Sequence, residues 1–224
     1  MKESSLNPPT ENSGTNAQDT THYRVDTLGP ICYDNVKVPV EVFMGTETRS
    51  NTAMDFEKLP EGPPCQLIDG ELLMTPSPSY EHQNLVLEIA TSLREFVRTR
   101  NLGSVVTAPM DVYLTESYVY QPDIMFISSE RQHIIHEKIK GAPDIIVEVL
   151  SPSNASYDLG HKKEVYGQSG VKEYWIVDPV EKSIEVCLNR EHEFALREKT
   201  QNEGVVRSSI LTGFSLQIGE LFSS

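Results

Sequence analysis

The chain has 224 residues, 38% of them hydrophobic and 23% charged, which suits one globular domain with a tail or two small domains. Its net charge is -14; the first fifty residues hold 4 basic and 7 acidic groups, which leaves -11 on the remainder, so the folded part is acidic in its own right. That balance disfavours a surface that grips duplex nucleic acid by charge alone. No apolar run reaches the ~18 residues of a membrane helix, and MKESSLNPPTENSGTN lacks the apolar core of an export signal.

Residues 1–20 carry almost no large apolar group and are expected to form a disordered tail. Residues 21–53 are expected to be an extended, partly ordered arm, because Pro39 interrupts VKVPVEVFM and demotes it to an edge. The arm packs on the body or pairs with a second copy as a homodimer, in which two sites would face two strands. Residues 54–224 make the folded domain. AMDFEKLP reads as one helical turn, and CQLIDGELLM as two strands around the tight-turn dipeptide Asp69-Gly70. Pro76 and Pro78 end that hairpin. From Ser79, a plausible N-cap, the period changes to 3.6: Leu85, Ile89, Leu93, Phe96 and Val97 share one face of a helix that stops near Asn101-Leu102-Gly103 on a glycine signal.

SVVTAPMDVYLT is one or two strands, and YVYQPDIMFIS is the next. RQHIIHEKIKGAP is a connection. DIIVEVLS, rich in Ile and Val, reads as a central strand covered on both faces. A helix follows from about Asp158 to Gln168. EYWIVDP is another buried strand, SIEVCLN and EFALREKT form an antiparallel pair, and VVRSSILTGFSLQIGELF closes with a strand and a short helix. The sum is α/β (α+β): a mixed, twisted sheet flanked by helices. Cys32, Cys65 and Cys187 are too far apart for a metal signature or a disulfide framework, and a cytoplasmic, reducing setting is expected.

Two strands carry acids. Asp123 follows Pro122 at a strand boundary. Glu148 lies among Ile146, Val147, Val149 and Leu150, where a carboxylate points to solvent, meets a structural Lys or Arg, or belongs to a site. Ser151-Pro152 ends the strand just beyond it, and Lys162 comes fourteen residues later on the next helix. Phosphodiester hydrolysis needs charge offset on the phosphate, a deprotonated water and a stabilised leaving oxygen. Carboxylate-held divalent metals supply these, and a lysine can assist. Glu71, after the Asp69-Gly70 turn, and His82, in the first turn of the long helix, are further candidates. His133 and His136 read as solvated, and Tyr174 and Trp175 as core.

QPDIMF, GAPDIIVEVLSPS, the Asp158–Lys162–Tyr166 helix and GVKEYWIVDP, in this order, resemble the Uma-two type of restriction endonuclease family within the PD-(D/E)XK nuclease superfamily. The resemblance extends from LIDGELLMTPSPSYEH to GFSLQIGELF, roughly residues 54–222. It implies a restriction-endonuclease-like core, with Asp123 and Glu148 as ligands of Mg2+ or Mn2+ and DNA as substrate. The superfamily's lysine stands two residues after the second acid, but here that position is Leu150. The family's lysine on the next helix corresponds to Lys162. Lys163 would point about 100° away, and Lys162 shares its face with Tyr166. Pro143-Asp144 reads as the start of the Glu148 strand. The implied function is a metal-dependent endonuclease, with no membrane partner. The alternatives are a catalytically silent nuclease fold used for binding or scaffolding, and a hydrolase of another phosphoester.

Overall fold

Turn and cap chemistry sets the local structure. The computed structural model describes residues 32–33, 36–37, 50–59, 65–75, 77–151 and 157–223. The expected tail at 1–20 lies outside them, as does most of the expected arm. Within the arm, β1 (Cys32–Tyr33) and β2 (Val36–Lys37) pair antiparallel. Ser50–Ser224 forms one compact unit. It opens on α1 (Ala53–Phe56), whose reciprocal Thr52–Asp55 hydrogen bonds make a capping box. β3 (Cys65–Ile68) and β4 (Glu71–Met74) follow as a hairpin. Asp69 and Gly70, at φ 53° and 76°, supply the two positive dihedrals of its tight turn.

The long helix is α2 (Tyr80–Thr99), with the Ser79 side chain accepting from the His82 N–H at its N-cap. Its C-terminus corrects the glycine expectation. Asn101, at φ 55°, takes the left-handed cap, and the Leu102 N–H closes back on the Val97 carbonyl. Gly103 instead opens β5 (Gly103–Thr107), where a Cβ would lie 2.1 Å from the Ile127 carbonyl oxygen. β6 (Val112–Thr115), β7 (Tyr118–Tyr120) and β8 (Ile124–Ser128) come next. YVYQPDIMFIS is therefore two strands, not one, broken at Gln121-Pro122-Asp123. Proline has no N–H to extend a ladder. The expected connection contains a 3-10 turn, Ser129–Ile134, and the short β9 (Ile139–Lys140).

β10 (Ile145–Val149), α3 (Tyr157–Ser169), β11 (Glu173–Asp178), β12 (Ser183–Arg190) and β13 (Glu193–Gln201) follow in order. The chain closes with a ribbon of β14 (Val205–Arg207) and β15 (Ser215–Gln217), then α4 (Ile218–Leu221). The mixed sheet has six strands in the order β13-β12-β11-β10-β8-β5, parallel only between β10 and β11. A second sheet, β4-β3-β7-β6-β9, takes the strands that one sheet was expected to hold. The split at Gln121–Asp123 is one of the places where the chain passes from one sheet to the other.

Both faces of the six-stranded sheet are covered, which explains the unbroken apolar run of β10. Ile145, Val147 and Val149 pack with Leu85, Ile89 and Leu93 of α2 on one face. Ile146 packs on the other face with Val165 and Tyr166 of α3 and with Val112 and Tyr120 of the smaller sheet. Strand alternation places Glu148 on this second face. Trp175 and Tyr174 are both buried, one in each layer, as core residues.

Candidate active site

Asp123 and Glu148 come together through strand register. β8 and β10 run antiparallel and pair as far as Val147 opposite Ile124, so Asp123 and Glu148 are the next residues beyond the last pair. The crossover bearing Asp123 is held firmly. The Gln121 amide group donates to Asp111 at 2.7 Å, and its backbone N–H donates to the Gln66 side chain at 3.3 Å. Asp111 is also paired with Lys138 at 2.8 Å. Asp123 Oδ2 accepts the Val149 N–H at 2.8 Å, and His82 Nε2 lies 3.2 Å from the same oxygen. His82 arrives from the α2 face and Lys162 from the α3 face, so the cluster lies at the end of the sheet between the two helical layers.

Glu148 is only 7% exposed. Its Oε1 accepts the Tyr166 hydroxyl at 2.7 Å and the Lys162 ammonium at 3.3 Å. Burial pushes its carboxyl above the ordinary range; Lys162 and Tyr166 oppose the shift and Asp123 adds to it. Burial also drives the Tyr166 hydroxyl well above its usual value, with Glu148 adding to that. The hydrogen bond to Asp123 raises the His82 imidazole, against burial.

The two adjacent lysines of α3 point apart. Lys162 meets Glu148 and lies 5.9 Å from the Tyr120 ring centre, whereas Lys163 faces the buried thiol of Cys187. Glu71 does not join the cluster: it is exposed on the outer strand of the smaller sheet and makes no hydrogen bond or ion pair with Asp123, Glu148 or Lys162. His133 and His136 are exposed, and His161 packs at 5.6 Å from the Tyr118 ring. Asp144 directly precedes β10, at the end opposite Glu148. It is fully buried, with Lys172 2.7 Å and Arg131 3.6 Å from Oδ1 and the Ser128 N–H on Oδ2.

A family model described as "Putative restriction endonuclease", Uma2, matches residues 53–219, well over half of the chain. The chain belongs to the Uma2 family. The crystal structure of "a putative nuclease belonging to DUF820" from Anabaena variabilis has the same fold as this Uma2 chain. It aligns with TM-score 0.65 and 22% identity, covering 77% of this chain and 97% of that one. No curated protein matches the chain. No helix among the described residues is long and apolar enough to cross a membrane.

The carboxylate oxygens of this cluster are of the kind that a hard divalent ion takes. Asp123 and Glu148 each have one oxygen in hydrogen bonds, and among the described residues Oδ1 and Oε2 have no such partner. Mg2+ typically takes one or two carboxylates and completes its shell with water and substrate phosphate. Among the described residues, no three His, Cys, Asp or Glu side chains group as a larger metal cage. Reading the sequence alone missed Gln66, Asp111 and Gln121. Their partners are 10, 27 and 55 residues distant, and no local spacing signals them.

Proposed function

We propose that residues 54–224 form a metal-dependent endonuclease domain that hydrolyses DNA phosphodiester bonds. The observation that supports it is the meeting of Asp123, Glu148 and Lys162 at one end of the six-stranded sheet, from two strands and a helix. In this reading Asp123 and Glu148 hold Mg2+ or Mn2+ through the carboxylate oxygens left outside the hydrogen bonds. When bound, the ion supplies positive charge against the phosphate and lowers the pKa of water. Tyr166 and Lys162 fix the Glu148 carboxylate. Lys162 is 15% exposed, so its ammonium can exchange between Glu148 and an incoming phosphate or water. The raised affinity of Glu148 for protons marks a site that favours an added cation.

Purified protein with Mg2+ or Mn2+ is expected to nick supercoiled plasmid, and Asp123→Ala or Glu148→Ala to remove that activity. Nicking by both variants at the wild-type rate would overturn the assignment. A catalytically silent binding or scaffold domain is the second reading. It is favoured by the net charge of -11 outside the first fifty residues. Mn2+ binding with no nicking of any DNA form would select it.

A further inference from the structure

We propose that His82 is a positioning residue for Asp123: it holds Oδ2 and so leaves Oδ1 as the ligand oxygen for the metal. This rests on the metal reading above. Asp123 Oδ2 has two nitrogen partners, the Val149 N–H at 2.8 Å and His82 Nε2 at 3.2 Å. The first comes from the residue after Glu148, so the Asp123 carboxylate is keyed to the strand that carries the other acid. The second comes from the opposite layer, on α2. With both nitrogens on Oδ2, that oxygen is turned toward the protein and Oδ1 away from these two partners.

His82 is itself fixed. Its backbone N–H bonds to the Ser79 side chain at 3.2 Å, and the residue is 9% exposed. Its other ring nitrogen, Nδ1, is buried with no hydrogen-bond partner among the described residues. A buried ring nitrogen left unpaired opposes folding. An apolar side chain at this position, between the N-cap and the buried Leu85, would avoid that cost. What the imidazole supplies in return is a ring nitrogen 3.2 Å from Asp123 Oδ2. Donation from Nε2 to a carboxylate requires the proton on that nitrogen. Outer donors of this kind commonly set metal affinity by about 10–100-fold without touching the metal.

The experiment is calorimetric titration of the full chain with Mn2+, with melting temperatures recorded alongside. His82→Gln presents an amide N–H near the position of Nε2, and His82→Asn presents one near the position of Nδ1. His82→Leu keeps the bulk and has no donor. Wild type and His82→Gln are expected to agree within about threefold, while His82→Asn and His82→Leu weaken Mn2+ binding by about 10-fold or more. The Gln–Asn contrast stands even where His82→Leu does not fold. Equal affinity of the Gln and Asn variants, or wild-type affinity in His82→Leu, would overturn the positioning role while Glu148→Gln still loses the metal. A wild-type protein that binds no Mn2+ would overturn the metal reading itself, and His82→Gln would then match Glu148→Gln in binding none.

Discussion

Two buried acids stand near opposite ends of β10, and their surroundings push them in opposite directions. At Asp144 burial would raise the carboxyl, but the Lys172 ammonium and the Ser128 N–H hold it below its ordinary value. At Glu148 burial wins over Lys162 and Tyr166. A carboxyl raised in the folded state makes the native protein bind more protons than the unfolded chain, so stability falls as pH rises from the unfolded value, about 4.3, toward the folded one. Glu148→Gln, which stays neutral, is therefore expected to match wild type near pH 4 and to melt higher than wild type at neutral pH. A lower melting temperature for the variant at neutral pH would contradict this. Tyr166→Phe removes a buried donor to a charged acceptor and is expected to cost about 1.5–3 kcal/mol in urea unfolding. At this scale the sequence located the acids but not their environment. IIVEV has no polar face, so alternation could not show which side Glu148 takes. Which of Lys162 and Lys163 meets Glu148 was legible because Tyr166, four residues on, marks the inward face.

Among the elements, helix and strand types were largely readable, since α2 and the β3–β4 hairpin carry their own periodicity and turn residues. The ends were less so. Asn and Gly both tolerate the left-handed region, and a sequence containing both within three residues does not say which one caps the helix. Asn101→Ala is expected to destabilise by about 1 kcal/mol, the order of the left-handed penalty for an ordinary residue, and to leave metal binding unchanged. Gly103→Ala is a different matter. Its Cβ would meet backbone of β8 at 2.1 Å, and the strands cannot yield as a flexible side chain can. That variant is expected to lose β5–β8 pairing and to unfold at much lower urea than Asn101→Ala. Equal midpoints would refute the close approach as the reason for glycine. Splitting YVYQPDIMFIS depended on which sheet each half joins, a long-range choice that Pro122 permits but does not encode.

For the molecule as a whole, the number of uncommitted cations limits how nucleic acid could be held. Lys138, Lys140, Lys172 and Lys199 are each paired with an acid, as is Arg197. Each phosphate contact contributes about -0.9 to the slope of log K against log salt. Fluorescence anisotropy with duplex DNA and Ca2+ is therefore expected to give a slope shallower than about -3. A steep slope would mean a broad basic interface that the charge distribution does not suggest. The mixed α/β class was legible because strands and helices announce themselves locally. Two sheets, not one, was not legible, since sheet membership is decided by pairing between distant segments.

The three-residue passage from β7 to β8 is both a seam and a carrier. It leads from one sheet into the other, and the side chain of its last residue, Asp123, accepts the N–H of Val149, the residue after Glu148. Tolerance to insertion should follow from this. One added residue between Tyr120 and Ile124 would leave each sheet its own strand yet throw the two acids out of step. One added at the β12–β13 turn, where exposed Glu191 and His192 already adopt positive φ, would leave the β8–β10 register untouched. The geometry that lets distant strands build the cluster also makes chain length at this bend its least negotiable feature.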